Sequence, residues 1–532
     1  MFDYVIVGAG SAGCVLASRL TEDPDVSVLL IEAGPPDTSE NIHVPLGFPQ
    51  LMHSQVDWDY STLPEPFADQ RRIHLPRGKT LGGSSSINWM VYIRGHRADF
   101  DEWRDGGCEG WGYDDLLPYF TRSEDNERGA SEYHGAGGPL RVSEGRSRNP
   151  ISEAFLEACD LSGQRRNEDF NGAQQDGFGR YQLTQGDGRR CSTAVGYLHP
   201  AMSRPNLTVE TFLQVHRVLF EGDRAVGVQA ERLGELHDFR AEREVILCGG
   251  AYNSPQLLML SGVGPAELLN MLAIPVLADL PAVGQNLQDH PGSGWLWTHD
   301  EPVSLLTAMN EENLAQFQGD GSGPLTSNGV ETGGFLRSRE QLPAPDLQFH
   351  VAGSMLVDEP IYEPGITIAV YPAKPVSRGA VTLRSPDPTV APFILHNYYS
   401  EDSDLQTIMH GLRVASEIAA QPVLTPYTVR PYDPPASDSD ADLRAYIRRH
   451  TYTTFHPVGT CRMGSDTEAV VDTELRVQGV QGLRVIDASI MPSIVRGNTN
   501  AATIAIAERA ADVIRGVEPL VAEQSKAVAA GA

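Results

Sequence analysis

Residues 1–34, MFDYVIVGAGSAGCVLASRLTEDPDVSVLLIEAG, decide the fold of this chain of 532 residues. The run FDYVIV is apolar and β-branched, a composition that predicts a buried parallel strand. The turn GAGSAG follows it, then the helix-compatible run CVLASRL, and then VSVLLIEAG, a second buried strand that ends in Glu32. This order predicts one βαβ unit with a crossover helix.

The glycines of this turn form the pattern G-x-G-x-x-G at Gly8, Gly10 and Gly13. The first allows a tight turn, the second lets the backbone approach a pyrophosphate, and the third allows close packing of helix on strand. The helix N-terminus then faces the phosphate charge. Glu32 follows at about the 20-residue spacing of dinucleotide-binding units. Its carboxylate suits a ribose diol and would repel a 2′-phosphate, so the motif predicts an adenine dinucleotide other than NADP.

FAD and NAD both bind at such a turn, so the motif leaves both open. A tightly held flavin needs further clamps, and two remote segments suit that purpose. One is GGSSSIN at 82–88, and the other is Asp487 with Ala488 and Ser489, followed by GNTN at 497–500. An NAD-dependent dehydrogenase stays as the alternative, which a yellow purified protein would eliminate.

Residues 300–450 have a different texture, with short strands such as TIAVYP and AVTLRS, Pro-rich turns, and a helix near 402–420. This pattern predicts an antiparallel sheet with helices on one face. We therefore expect an α/β chain, in which a Rossmann-like dinucleotide domain is interleaved with an α+β domain that carries an antiparallel sheet.

Charge and cysteine usage narrow the partners and the compartment. With 41 basic and 70 acidic residues the net charge is −29, which disfavours nucleic acid and anionic membranes as partners. The six cysteines are scattered without a C-x-x-C pair, so we expect no metal site and a reducing compartment. There is no leader before the first strand and no apolar run of about 18 residues. We therefore expect a cytoplasmic protein without a transmembrane segment.

Four further segments complete a pattern that covers the chain from Phe2 to about Arg515. They are RGKTLGGSSSINWMVYIRG (77–95), VGQNLQDH (283–290), YTTFHPVGTCRMG (452–464) and LRVIDASIMPSIVRGNTN (483–500). With them the chain resembles the glucose–methanol–choline (GMC) family of FAD-dependent oxidoreductases, above all its choline dehydrogenase and medium-chain alcohol dehydrogenase groups.

The resemblance implies an FAD domain assembled from residues 1–148, 187–297 and 455–532, and a substrate domain from residues 149–186 and 298–454. It implies oxidation of a primary alcohol to the aldehyde, with hydride transfer to the flavin. The electron acceptor is left open between oxygen and a quinone-type molecule, and the oligomeric state is not predicted.

The resemblance also implies the catalytic pair. His456 matches the family's catalytic histidine, and an imidazole suits a base because its ordinary pKa of about 6.5 is close to working pH. Asn498 matches the residue that faces this histidine. An amide cannot act as a base, so Asn498 should orient the alcohol and stabilise its oxygen. We expect Asn500 to cap the helix that follows.

Contacts to FAD are implied at a larger set of positions, shared between the dinucleotide turn, the Gly-Ser segment and the C-terminal motif: Gly8, Gly10, Ser11, Ala12, Gly13, Glu32, Ala33, Thr80, Gly82, Gly83, Asn88, Trp89, Met90, Val91, Val218, Asp487, Ala488, Asn498, Thr499 and Asn500. Members that attach FAD covalently carry a histidine where this chain has Ile87, so we expect noncovalent FAD.

The substrate is expected to be an aliphatic or aromatic primary alcohol in an apolar pocket formed by Trp89, Trp297 and Phe455. Choline-oxidising members place a carboxylate just inside the substrate domain, where our register puts Thr298. Choline is therefore disfavoured, although aromatic faces alone can hold a quaternary ammonium. Two alternatives stay open: a choline dehydrogenase, and a non-redox cyanohydrin lyase on the same scaffold.

Overall fold

The computed structural model describes residues 1–356 and 363–520. These residues contain two seven-stranded sheets, which we call the first and the second sheet. The first is mixed and carries the dinucleotide motif, and the second is antiparallel. This arrangement confirms the expected α/β class with an additional sheet-rich part.

The first sheet is built around the strand Phe2–Val7, whose four last residues are buried. This strand pairs in parallel with Val28–Ile31 on one side and with Glu235–Leu247 on the other. In spatial order the strands are Leu207–Glu210, Val28–Ile31, Phe2–Val7, Glu235–Leu247, Arg224–Arg232 and Gln214–Glu221, with Leu483–Val485 also paired to Glu235–Leu247. Five carboxyl ends of parallel strands thus meet at one edge, where open α/β sheets bind their ligands.

Two helices begin at this edge and pack against each other, Ser11–Leu20 and Asn500–Arg515. Both are rich in small residues on the shared face, and the first twelve residues after Asn500 are all buried. Close packing of these helices brings the C-terminal motif beside the dinucleotide turn, although about 490 residues separate them in sequence.

The second sheet separates an apolar core from a polar face. Its strands are, in spatial order, Arg430–Pro431, Pro291–Thr298, Gly365–Pro372, Leu347–Ala352, Thr332–Leu336 and Gly177–Arg180, with Tyr452–Thr453 also paired to Pro291–Thr298. In LQFHVA, Leu347, Phe349 and Val351 pack in a core with the helix Asp402–Ala419. Since side chains alternate along a strand, the residues between them point to the opposite face.

The remaining elements connect these layers. The helices not yet named are Glu40–His43, Arg97–Asp105, Tyr113–Ser123, Pro150–Leu161, His199–Ala201, Gly250–Leu260, Ala266–Met271, Glu311–Asp320 and Asp440–Arg449. Short strands are Tyr60–Ser61 with His74–Leu75, Glu124–Asn126 with Leu140–Glu144 and Gln182–Leu183, Gln185–Gly186 with Arg189–Arg190, Val263–Gly264 with Ala278–Asp279, and Ala380–Thr382 with Phe393–Leu395.

The division into two domains stays a prediction. The strand pairing suggests a different position for the border expected at residue 297. The strand Pro291–Thr298 lies in the second sheet, paired with Gly365–Pro372, so this sheet begins before the expected border at residue 297. The run PGSGWLWT contains no charged residue, so the sequence gives no sign of a domain border there. Across the described residues, no helix combines the length and the apolar character needed to cross a bilayer.

Candidate active site

A cavity of about 460 Å³ lies between the carboxyl edge of the first sheet and the polar face of the second sheet. It is lined at one end by the dinucleotide turn and at the other by His456 and Asn498. We call these the nucleotide end and the catalytic end. The cavity thus connects the two motifs that the sequence singled out.

Backbone geometry shapes the nucleotide end. Gly8 has φ +100°, and a Cβ there would lie 2.5 Å from the carbonyl oxygen of Cys248. Gly83 has φ +52°, and a Cβ there would lie 2.6 Å from the Cα of Gly10. Only glycine allows both the left-handed backbone and these close approaches. The two glycine-rich segments therefore touch through bare backbone, which leaves room for a ligand to lie along them.

Glu32 closes the nucleotide end, as its place after the second strand predicts. Its carboxylate accepts hydrogen bonds from the backbone N–H groups of Ala9 (3.0 Å) and Gly34 (2.9 Å). Burial raises the pKa of Glu32 to about 7. Hydroxyl donors of a bound ribose would stabilise the charged carboxylate here.

Two helix N-termini meet at the middle of the cavity. Ser11 Oγ donates to Asn500 Oδ1 at 2.7 Å, and both residues line the cavity. No side chain caps either helix. Asn500 is the first helical residue and Thr499 stands at the cap position, so the expectation that Asn500 caps its helix is wrong by one position. The open first-turn N–H groups suit the negative charges of a pyrophosphate.

These observations test whether FAD fits, and it does. A carboxylate for a ribose, bare glycine backbone and two uncapped helix starts follow one another along the wall, and the catalytic end lies beyond them. Asn88, Trp89, Met90 and Val91 line the cavity between these helix starts and His456, where the flavin ring would lie.

His456 lies at the catalytic end with three polar neighbours of its ring. Its Nε2 lies 3.2 Å from Asn498 Nδ2. Its Nδ1 lies 3.0 Å from His290 Nδ1 and 2.8 Å from Thr454 Oγ1. The backbone N–H of His456 donates to Asp289 Oδ1 at 2.8 Å. Backbone and ring are therefore both fixed.

Hydrogen bonding assigns the tautomer of His456. His290 Nε2 lies 3.1 Å from the carbonyl oxygen of Ala373, which can only accept, so Nε2 carries the hydrogen. Burial lowers the pKa of His290 to about 4, which keeps the ring neutral and makes its Nδ1 an acceptor. His456 Nδ1 must therefore donate to it. The Nε2 of His456 then carries no hydrogen, and its lone pair accepts from Asn498 Nδ2.

Burial also keeps His456 in the form that can accept a proton. It lowers the pKa of His456 well below the ordinary value, and repulsion from His290, His350 and Arg77 lowers it further. Because the charged imidazolium is disfavoured, the ring is neutral at neutral pH. A neutral imidazole with an unprotonated Nε2 is the form that a general base requires.

The loop before His456 is strained and held in place. Phe455 has φ +64°, a left-handed conformation that is uncommon for a bulky residue. Arg77 Nη2 donates to its carbonyl oxygen at 2.6 Å, and its N–H donates to Thr453 Oγ1 at 2.8 Å. Strain of this kind persists where the surroundings over-determine the backbone, and it clusters at active sites.

The second sheet contributes two residues that the sequence reading missed. Gln348 Nε2 donates to Asn498 Oδ1 at 3.2 Å, and it lies 2.9 Å from His350 Nε2. The first contact fixes which side of the Asn498 amide carries the donors. Burial lowers the pKa of His350 to about 3, and its Nδ1 has no partner among the described residues. Alternation in LQFHVA places both side chains on the cavity face, a signal that was readable in sequence.

Most of the predicted site residues line this one cavity. They are Gly8, Gly10, Ser11, Ala12, Glu32, Ala33, Gly83, Asn88, Trp89, Met90, Val91, Phe455, His456, Asp487, Ala488, Asn498, Thr499 and Asn500. Gly13, Thr80 and Gly82 lie behind the wall: a Cβ at Gly13 would collide with the Gly8 carbonyl, and Thr80 Oγ1 donates to the Pro35 carbonyl at 2.8 Å.

Two predicted residues lie elsewhere. Val218 is buried in the strand Gln214–Glu221, and Gln214 and Val215 line the cavity in its place. Trp297 does not line the cavity, which corrects its assignment to the substrate pocket. It sits in the second sheet and packs against the core of the helix Asp402–Ala419. Side chains alternate between the two faces of a strand, so the pairing register determines which face Trp297 occupies. The sequence alone did not supply that register.

One group of side chains in the described part of the chain has the spacing of metal ligands, although no metal site was expected. His53, Asp59 and His74 lie outside the cavity wall, and their ligand atoms are within 4.8 Å of one another. His53 Nδ1 and Asp59 Oδ1 already form a pair at 2.7 Å. The hydrogen bond accounts for this pair without a metal.

Comparisons with known proteins agree with this geometry. Family models described as GMC oxidoreductase match residues 2–292 and 375–507. The mitochondrial choline dehydrogenase of Mus musculus is 46% identical over 97% of this chain and 89% of its own length. The oxygen-dependent choline dehydrogenase of Escherichia coli K12 is 46% identical over 98% of this chain and 96% of its own. Pyridoxine 4-oxidase from Mesorbium loti superposes with a TM-score of 0.90 at 34% identity, covering 97% of this chain and all of that one.

Proposed function

Because the chain belongs to the GMC oxidoreductase family and is an FAD-dependent oxidoreductase of CH–OH groups, we propose that it oxidises an uncharged primary alcohol to the aldehyde. The observation that carries the proposal is the unprotonated Nε2 of His456 opposite the amide of Asn498, 3.2 Å away. A hydroxyl group that contacts both atoms from the cavity side meets an acceptor and a donor at once.

In this proposal His456 takes the hydroxyl proton at Nε2, while Asn498 Nδ2 donates to the alcohol oxygen. As the proton leaves, negative charge grows on that oxygen, and the fixed amide stabilises it. The imidazolium that forms keeps its Nδ1–H directed at His290 and Thr454. Bound FAD supplies the acceptor for the hydride that leaves the same carbon.

Noncovalent FAD is the second part of the proposal. Ile87 lines the cavity beside Asn88, and an alkyl side chain has no atom that could bond to a flavin methyl carbon. Acid precipitation should release all yellow colour into the supernatant. Colour that stays with the pellet would contradict this part.

The cavity favours an uncharged substrate. Acidic side chains of the wall, within the described residues, are Glu32 and Asp487. Glu32 holds the nucleotide end, and Asp487 is engaged by Ser254 Oγ at 2.6 Å and the Gly250 N–H at 2.8 Å. Thr298 is buried in the second sheet, where its Oγ accepts from Arg430 Nε at 3.2 Å. Among the described residues, a cation at the catalytic end would therefore meet no free carboxylate.

A charged side chain does not fit at position 292 either. Gly292 lies in the strand Pro291–Thr298, and a Cβ there would collide with the ring of Tyr371. Tyr371 lines the cavity together with Trp89 and Phe455. These rings provide apolar surface for the alkyl or aryl part of the alcohol.

Choline oxidation is the second candidate, favoured by the 46% identity to choline dehydrogenases. Choline and 3,3-dimethyl-1-butanol distinguish the two candidate functions. They have the same shape, but choline carries a charged nitrogen where the neutral alcohol carries a carbon. We expect the neutral alcohol to reduce the enzyme's flavin anaerobically with at least about tenfold higher second-order rate constant, about 1.4 kcal/mol. A preference for choline of that size would overturn the uncharged-substrate proposal.

The same anaerobic experiment tests the reaction class and the electron acceptor. Bleaching of the flavin by an alcohol excludes a cyanohydrin lyase, which involves no net electron transfer. Re-admitted air should restore the oxidised spectrum within seconds if oxygen is the acceptor, and slowly if a quinone-type molecule is. We also propose a cytoplasmic location, supported by six buried cysteines that are all unpaired. Fractionation of the native cells tests it.

A further inference from the structure

Arg190 is a buried guanidinium without a counter-ion in the described part of the chain. It is 2% exposed and lies in the strand Arg189–Arg190. Its acceptors are all neutral: the carbonyl oxygens of Ile42 (2.6 Å) and Ser85 (3.1 Å), and Asn88 Oδ1 (2.8 Å). Its Nη2 is buried and has no partner among the described residues.

This environment differs from that of another buried arginine. Arg94 contacts the carboxylate of Glu124 at 2.5 Å inside the core. Buried charges are as a rule paired in this way, because an unpaired one is costly. Burial lowers the pKa of Arg190 to about 9, so it is still charged at neutral pH. A cation retained at such a cost points to an anion that the described residues do not supply.

Arg190 also determines the orientation of Asn88, a residue of the cavity wall. Asn88 Oδ1 accepts from Arg190 Nη1 at 2.8 Å and from the Met90 N–H at 3.0 Å. Two donors on one atom identify it as the oxygen, so the amide nitrogen occupies the other side. The Asn88 N–H groups are then free to donate into the space where the flavin would lie.

We propose that Arg190 is the internal cation that offsets the negative charge which bound FAD acquires on reduction, and that it positions Asn88 for the same purpose. A hydride carries one negative charge, so a neutral flavin that accepts it becomes an anion. A fixed positive charge nearby makes that change more favourable and raises the reduction potential. The inference rests on bound FAD and does not depend on which alcohol is oxidised.

The test compares Arg190→Lys with Arg190→Gln. Both keep a nitrogen donor for Asn88 and Ser85, but only lysine keeps the charge. The readout is the ratio of reduced to oxidised flavin in equilibrium with a redox dye under anaerobic conditions. We expect Gln to lower this ratio at least about tenfold at fixed dye potential, about 30 mV for a two-electron couple. Lys should stay within about threefold of the unchanged enzyme.

Arg189→Met is the matched control, since Arg189 is its exposed neighbour and pairs with Glu40 at 2.5 Å. It should leave the ratio unchanged. An unchanged ratio in Arg190→Gln, or an equal fall in both Arg190 variants, would overturn the proposal and leave Arg190 a packing residue. Loss of FAD from the Gln variant alone shows the same dependence on charge in binding and supports the proposal, whereas loss from both variants overturns it.

Discussion

The two ends of the cavity are built from different materials. The nucleotide end consists of glycine backbone, two uncapped helix starts and one carboxylate, Glu32. The catalytic end consists of side chains that arrive from distant parts of the chain and touch only in the folded protein: His290, His350, His456 and Asn498. In the proposed function the first end binds FAD by shape and dipole, and the second end moves a proton. Changes at one end should therefore spare the function of the other.

The largest difference between the effects on flavin reduction and on FAD binding is expected for His456→Ala. The variant removes the proposed general base, so anaerobic flavin reduction by a good alcohol should slow between about 10²- and 10⁴-fold. It should retain FAD in full, because the nucleotide end is untouched. Stopped-flow absorbance measures the rate, and the flavin-to-protein ratio measures the cofactor. Near-normal reduction in this variant would remove the assignment of the base.

Asn498 and Asn500 lie in one turn, and we expect their alanine variants to affect different measurements. Asn498→Ala removes the donor to the alcohol oxygen and should slow flavin reduction about 10²-fold without loss of FAD. Asn500→Ala removes the partner of Ser11 at the nucleotide end. It should weaken FAD binding by about two- to tenfold, as expected for one hydrogen bond, and leave the rate of the loaded enzyme unchanged. Equal effects of both variants on both measurements would contradict the division of the cavity.

Cofactor binding at the nucleotide end should be most sensitive to changes in backbone conformation. Alanine at Gly83 must adopt a left-handed conformation at a cost of about 1–2 kcal/mol, or displace the segment that touches Gly10. We expect the dissociation constant of FAD to rise about 5- to 30-fold, measured by fluorescence titration of the apoprotein. Gly129→Ala is the control, because Gly129 has φ +81° with open space around it. It should cost stability but leave FAD affinity unchanged.

The difference between the ends also explains what the sequence could predict. Gly8, Gly10 and Glu32 lie within one local motif, so their arrangement follows from strand, turn and helix alone. His290 ends the segment VGQNLQDH, but its role depends on the carbonyl of Ala373, which lies 83 residues away. The face on which Trp297 lies required the register of the second sheet, and pairing register is not written in a short stretch of sequence. Prediction therefore succeeded where contacts are local and missed residues that meet only through tertiary packing.

The smallest expected effect concerns His290, which acts on the reaction only through His456. His290→Ala removes the acceptor of the His456 Nδ1–H and leaves Thr454 Oγ1 as its partner. Loss of one hydrogen bond is worth about 0.5–1.5 kcal/mol, so flavin reduction should slow about two- to tenfold. His396→Ala is the control, since His396 is equally buried, with a pKa lowered to about 4, and bonds to Tyr252. It lies 3.8 Å from Asp289 but contacts neither the His456 nor the His290 ring.

The pH profile separates positioning from packing in this pair. The base form of His456 exists above its pKa, which burial and then repulsion from His290 hold well below the ordinary value. Reduction by the unchanged enzyme should therefore stay on its plateau as pH falls through about 6.5, the ordinary imidazole value, and decline only below it. His290→Ala opens space beside the ring and weakens burial, the largest cause of the lowered pKa, so its acid limb should move up toward that value. His396→Ala should keep the original profile, because His396 contacts neither ring. An acid limb that stays in place in His290→Ala would show that the pKa of His456 does not depend on His290.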